Sequence, residues 1–385
     1  MALSRTDFRQ LIGSILFCFV FVCLQVLNFV NIVPFNIKTF VPYLMTAVVL
    51  YIGWKLPLNN NCYRAPRMLY LLSIFGAVLS VFAGNGLGDM LLKIMYATFG
   101  FVGYVYVCER KINLNLFPII LLLAYVYFYR IFFFDQANLR VGDFFEISSS
   151  NTIAISLNVI FYFYYLLQKY YQSIDVTKLI IFSCTNLAFI WVQGSRIGVA
   201  VALLFVMLSL LELLIKKGAS KGSFFVLFFI ALVGIVLLYS KFSYLLDAFV
   251  EDNGAIGLNA YEEDCRSGSQ HSFFANLNAH RFLLGYNIDF AFYGDLHRTF
   301  NSFLDFWARY TIIPFVYLVY RLMRRLFSLK DFSIPVYALI PFFLYGFVES
   351  LWSGALWDIF LYLICFLSDR SIENNKIAVN ENSTN

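Results

Sequence analysis

Apolar residues come along this chain in runs of about twenty, parted by short polar segments in which Lys and Arg are common. About twenty residues is the length that carries an α-helix across about 30 Å of hydrocarbon at about 1.5 Å per residue. The runs predict spans at 11–33, 39–56, 68–84, 89–108, 114–134, 151–168, 178–193, 197–215, 223–240, 302–320, 332–349 and 352–367. The expectation is therefore an all-α, polytopic integral membrane protein of about twelve transmembrane helices. Spans seven and eight are divided only by Gln193–Arg196, and the last two only by Ser350–Leu351. Residues 1–385 are read as one membrane domain, with a long loop at 241–301 inside it and a polar tail at 372–385.

Composition agrees with that pattern. The chain is 61% hydrophobic and only 13% charged, whereas a soluble domain is about half apolar and about a quarter charged. So much apolar surface has no place in a water-soluble core. The 45 Phe and 26 Tyr suit lipid faces and their interfaces. The net charge of +5 is not a nucleic-acid signal, because the basic residues sit between the apolar runs.

Those basic residues orient the chain by the positive-inside rule. Arg5 and Arg9, then Arg64 and Arg67, Arg110 and Lys111, Lys169 and Lys178, Lys216 and Lys217, and Arg321, Arg324, Arg325 and Lys330 fall in every second loop. Both ends are expected in the cytoplasm, and 11–33 is read as a retained span because no small-x-small site closes it. Asn382-Ser-Thr matches a glycosylation acceptor but lies in the cytoplasmic tail of this topology. The seven cysteines include no CxxC pair, and only Cys265 lies in a sizeable outer loop, so neither a structural disulfide nor a zinc site is expected. No phosphate loop, dinucleotide glycine motif or H-E-x-x-H helix occurs, which leaves ATP hydrolysis, nicotinamide chemistry and zinc proteolysis without support.

Chemistry-bearing residues gather on the outer side. Loop 241–301 is far longer than an ordinary connection and holds all three histidines, His271, His280 and His297. It is net acidic through Asp247, Glu251, Asp252, Glu262, Glu263, Asp264, Asp289 and Asp295, so Arg266, Arg281 and Arg298 need individual reasons. Histidine is suited to take a proton from a hydroxyl; arginine is suited to neutralise a departing diphosphate. Elsewhere, Arg196 stands at a tight outer turn, where Gly194 permits the bend and Ser195 is placed to cap the next helix. A guanidinium beside free helix N–H groups suits a phosphate, although a headgroup anchor is the plainer account of one loop arginine. Lys93 and Arg130 are expected to reach outward from their spans, and Asp305 and Arg309, four apart, are expected to pair. Arg140, in outer loop 135–150, is an ordinary loop charge unless it joins the same cavity.

Three segments in order carry a family resemblance. Gly194-Ser-Arg-Ile-Gly resembles a glycine–serine–arginine turn opening an apolar helix. Arg266, with Gly285 of Phe282-Leu-Leu-Gly-Tyr downstream, resembles a loop arginine and leucine–glycine element. Asn301-Ser-Phe-Leu-Asp-Phe-Trp-Ala-Arg-Tyr-Thr-Ile-Ile resembles the His-Asn-Ser-Phe-Leu start of a following span. Together they resemble the bacterial O-antigen polymerase (Wzy-type) and O-antigen ligase family. The chain departs from it at Phe300, where the ligases carry histidine, and at Thr311, where glycine is frequent; these departures favour polymerase over ligase.

The resemblance implies a membrane glycosyltransferase of lipopolysaccharide and polysaccharide biosynthesis in the bacterial inner membrane, with 241–301 a periplasmic loop. It would join undecaprenyl-diphosphate-linked oligosaccharide repeat units, one serving as donor and one as acceptor. A chain-length regulator in the same membrane is a further expected partner, and no nucleic acid is expected. No cofactor is needed, since the diphosphate lipid is already activated. The catalytic candidates are Arg196, Arg266, His280 and His297, and the substrate-binding candidates are Arg140, Arg281, Arg298 and Asn301. Two rivals fit the same layout: an O-antigen ligase passing polymer to lipid-A core, and a flippase or transporter for the lipid-linked unit.

Overall fold

In hydrocarbon a backbone must bond to itself, and a helix does so within one segment. The computed structural model follows this rule, with no strand among its described residues, which are 5–23, 41–133, 150–192, 195–218, 265–327, 335–348 and 359–366. In chain order the helices are α1 (Arg5–Cys18, running on into a π turn at Phe19–Cys23), α2 (Val41–Trp54), α3 (Arg64–Leu79), α4 (Leu87–Glu109), α5 (Leu116–Phe133), α6 (Ser150–Tyr170), α7 (Val176–Val192), α8 (Arg196–Lys216), α9 (Cys265–Ala275), α10 (Ala279–Leu284), α11 (Ser302–Tyr310), α12 (Ile312–Phe327) and α13 (Ile340–Val348). Among the described residues three helical runs, Asn61–Ala83, Leu87–Glu109 and Ile197–Lys216, are long and apolar enough to cross a membrane. Large apolar side chains such as Leu71, Phe75, Leu122, Leu123 and Val126 face outward, the reverse of a helix facing water. The expected span at 223–240 and half of that at 352–367 lie outside the described residues.

The helices gather into two compact units. One holds α1–α4 and α9–α13; the other holds α5–α8.

In the first unit α3 packs against α4, α11 and α12. Helix α1 is tied to the end of α4 by Gln10 Nε2, which donates to the Lys111 carbonyl at 2.8 Å, and by Ser14 Oγ, which accepts from Asn113 N–H at 3.0 Å. The run expected as one span over 302–320 is two helices, broken at Thr311, whose φ is +72°. Helix α12 continues to Phe327 and buries Arg321 and Arg325, two members of the expected inner basic loop. The Arg321 guanidinium lies 4.7 Å from the centre of the Phe366 ring, an aromatic face that can receive a cation inside the protein.

The second unit is built around α6, buried from Ile153 to Gln168 and flanked by α5, α7 and α8. At one end Glu212 of α8 accepts from Tyr165 at 2.9 Å and pairs with Lys169 at 2.8 Å, so a carboxylate only 2% exposed is compensated.

Candidate functional site

In the second unit the Gly-Ser-Arg segment has a local physical logic. Ser195 is extended, and its Oγ accepts from the Gly198 N–H at 3.1 Å, satisfying one of the free donors of the first turn of α8. Gly198 is required by packing: a Cβ there would stand 2.5 Å from Ala154 Cβ of α6 and 2.9 Å from Ile190 Cγ2 of α7. Arg196 is therefore the first residue of a capped helix whose opening turn is pressed against two neighbours. Its side chain, and Gln193 and Gly194, lie outside the described residues.

In the first unit the two other motif segments lock onto each other. Asn301 Oδ1 caps α11 by accepting from Phe303 N–H at 3.0 Å and Leu304 N–H at 3.2 Å. At the other end of α11 the Ala308 carbonyl accepts from Tyr286 N–H at 2.9 Å. Gly285, at φ +80°, brings the backbone close enough for this. Trp307 Nε1 donates to the Phe282 carbonyl at 3.0 Å. Phe273, Tyr286, Phe292 and Trp307 form one buried aromatic cluster beneath the segment, and the Tyr286 hydroxyl donates to the Phe273 carbonyl. Burial raises the Tyr286 phenol above its ordinary pKa, a rise that the positive Arg281 opposes.

This assembly orders several candidate residues. Arg281 Nη1 donates to the Asn276 carbonyl at 3.0 Å, and its guanidinium lies 4.5 Å from the Phe290 ring centre and 5.3 Å from that of Tyr286. His280 and His297 are exposed, as is Arg298, which lies 5.1 Å from the Phe300 ring centre. Arg266 is the second residue of α9, with its side chain outside the described residues. Arg140 lies outside them altogether.

Two expected charge arrangements are replaced by others. Asp305 does not pair with Arg309: its Oδ1 lies 2.9 Å from Thr299 N and 2.8 Å from Thr299 Oγ1, both of which are donors to it. The reason is geometric. Phe300 turns the chain at φ +52° and brings Thr299 back over the first turn of α11. Lys93 does not reach outward either. Only 2% exposed, its Nζ sits 2.7 Å from Asp89 Oδ2 and donates to Ser80 Oγ at 3.0 Å, since a buried ammonium costs less when paired.

Asn85 is the residue that sequence reasoning missed. Its Nδ2 donates to the carbonyls of Ser80 at 3.0 Å and Tyr286 at 3.3 Å, and its Oδ1 accepts from Ile288 N–H at 2.6 Å. One buried amide thus reads two backbone groups, two residues apart, as a neighbouring strand would. It pins the segment carrying His280 and Arg281 to the α3–α4 turn. No sequence signal marks it, because the partners it joins, Tyr286 and Ile288, lie about two hundred residues away. Asp89 had a signal, four residues before Lys93 in an apolar run.

Asn85→Asp keeps the acceptor but loses both donors and sets carboxylate oxygens against carbonyls. A loss of about 1–3 kcal/mol is expected, as for an unsatisfied buried group, read as a lower thermal midpoint with faster protease cleavage within 279–301. An unchanged midpoint would contradict the clamp.

No family model, curated protein or solved structure matches this chain.

Proposed function

We propose that this chain is a membrane glycosyltransferase that lengthens a glycan by joining undecaprenyl-diphosphate-linked oligosaccharide units, an O-antigen polymerase with about twelve spans and a periplasmic working face in the bacterial inner membrane. The observation that carries the reading is the interlock of Phe282–Tyr286 with Asn301–Tyr310, through Tyr286 N–H, Ala308 C=O, Trp307 Nε1 and Phe282 C=O. Two segments picked out by their resemblance to one family form a single hydrogen-bonded unit. The cap by Ser195 beside Arg196 adds a third such segment.

In the proposed reaction the acceptor hydroxyl oxygen bonds to the donor's anomeric carbon as the bond from that carbon to the lipid diphosphate breaks. The diphosphate leaves with the electron pair, and the hydroxyl proton passes to His280 or His297. Arg196 and Arg266 neutralise the charge that gathers on the leaving group. Arg140, Arg281, Arg298 and the Asn301 amide nitrogen are assigned to the saccharides. Membrane anchoring of both lipids supplies proximity and orientation.

The test is chain lengthening by purified protein in proteoliposomes supplied only with lipid-linked units. Arg196→Ala and Arg266→Ala are each expected to lower it about a hundredfold at matched abundance, the scale for removing one charge-stabilising donor. Undiminished long chains in both variants would overturn the diphosphate assignment. A wild type that never lengthens chains, yet transfers polymer to lipid-A core, would be a ligase.

The transporter reading is favoured by two observations of its own, the helix break at Thr311 and the buried Asp89–Lys93 pair, since broken helices and buried charges recur in transporters. Translocation of the lipid-linked unit without lengthening would establish it.

A further inference from the structure

Three buried polar side chains of the second unit lead, one after another, to the first turn of α8. The Tyr125 hydroxyl, on α5, lies 3.2 Å from Asn186 Oδ1 and 3.3 Å from the Phe182 carbonyl. Asn186 Nδ2, on α7, donates to Asn158 Oδ1 at 2.8 Å. Asn158 Nδ2, on α6, donates to the Gly198 carbonyl at 2.9 Å. Gly198 N–H in turn donates to Ser195 Oγ. Asn158 and Asn186 are fully buried, and Tyr125 is 3% exposed.

Apolar packing alone would hold these helices together as well. Hydrogen bonds between helices inside a bilayer add little net stability, because the separated helices find other partners. What a directional bond to one carbonyl adds is register. The close contacts of Gly198 with Ala154 and Ile190 set how near α8 comes to its neighbours. They leave its rotation and axial position less defined. A slip of one residue turns a helical side chain by about 100°, so a defined register at Gly198 determines the direction in which Arg196, two residues earlier, leaves the helix.

We propose that Asn158, Asn186 and Tyr125 are positioning residues that set the rotation and depth of the first turn of α8, and through it the placement of Arg196. The inference rests on the reading of Arg196 as a ligand for the donor diphosphate. It differs from a folding role in what it demands: the three residues act through Arg196 and through nothing else in the reaction.

The test uses full-length protein in proteoliposomes. Asn158→Leu removes the bonds to Gly198 and Asn186 at similar volume, and Tyr125→Phe removes one oxygen from the far end. At normal abundance Asn158→Leu is expected to lower chain lengthening about tenfold to a hundredfold, the scale for a misplacement of about 1 Å. The loss should appear in the donor concentration dependence. Combined with Arg196→Ala it should cause no further loss, and losses that multiply would overturn the proposal. A second readout does not use turnover: the rate at which a bilayer-impermeant maleimide labels Arg196→Cys, in protein whose seven native cysteines have been replaced. That rate is expected to change several-fold on adding Asn158→Leu or Tyr125→Phe, and an unchanged rate in both would overturn the proposal. Should Asn158→Leu not accumulate, Tyr125→Phe carries both readouts. If Arg196→Ala leaves chain lengthening intact, the diphosphate reading fails, while the labelling rates still decide whether the three residues position the turn.

Discussion

Gly285→Ala is expected to unlatch the 279–301 segment from α11 and to lower stability by roughly 2–6 kcal/mol, combining backbone strain and overpacking of about 1–3 kcal/mol each. Gly285 sits at φ +80° and ψ −159°, a region that side-chain-bearing residues rarely adopt. A Cβ there would stand 2.2 Å from the Ala308 carbonyl oxygen and 3.1 Å from that of Trp307. Those are backbone atoms near the end of a packed helix, and they cannot swing aside as a side chain would. The Ala308 oxygen also accepts from Tyr286 N–H, so relief of the clash breaks that bond and strains the adjoining one from Trp307 to Phe282. The measurement is the thermal midpoint of purified protein, with limited proteolysis of 279–301 as the local readout. Gly88→Ala is the matched control, because a Cβ there meets nothing within 4 Å and alanine in a helix is favoured by up to about 1 kcal/mol. A Gly285→Ala protein that melts like the wild type would remove the interlock on which the proposed function leans.

The second large effect concerns the buried ion pair of α4. Lys93→Leu leaves the Asp89 carboxylate, with 8% of its side chain exposed, without its counter-charge. Removing one partner from a buried pair costs about 3–5 kcal/mol, while replacing both with apolar residues is often neutral or stabilising. The expected pattern is two damaging single variants, Lys93→Leu and Asp89→Leu, and a double variant restored towards the wild-type midpoint. Ser80 gives the lysine a second partner at 3.0 Å, which makes Asp89→Leu the milder single change. Strict additivity would mean that the two charges do not compensate each other. Chain lengthening by the restored double variant then shows whether the pair serves more than stability.

Much of this protein was legible along the chain because its signals are local. A run of apolar residues must form a helix wherever water is absent, and α4 at Leu87–Glu109 lies within two residues of the run expected at 89–108. A serine three residues before Gly198 is enough to foresee the cap of α8, since a cap is made within one turn. The Phe282–Tyr286 and Asn301–Tyr310 segments were also visible as motifs, though not as partners. The misreadings fell on charges and on one helix break, where a residue's neighbours come from other segments. Asp305 had an arginine four places on, yet Phe300 at φ +52° delivered Thr299 to it first.

The chain by itself thus determined the helical class, three of the expected spans among the described residues, and the serine cap of α8, because each depends on hydropathy or hydrogen bonding within a few residues. Tertiary structure decided that Thr311 breaks the 302–320 run, that Asn85 bridges to Tyr286 and Ile288, and that Lys93 turns inward to Asp89 and Ser80. At Thr311 the reason is close approach: Gly76, where a Cβ would stand 1.9 Å from the Tyr310 carbonyl oxygen, and Gly285 let two distant backbones reach the end of α11. Such contacts join residues tens to hundreds of positions apart, and local propensity carries no record of them.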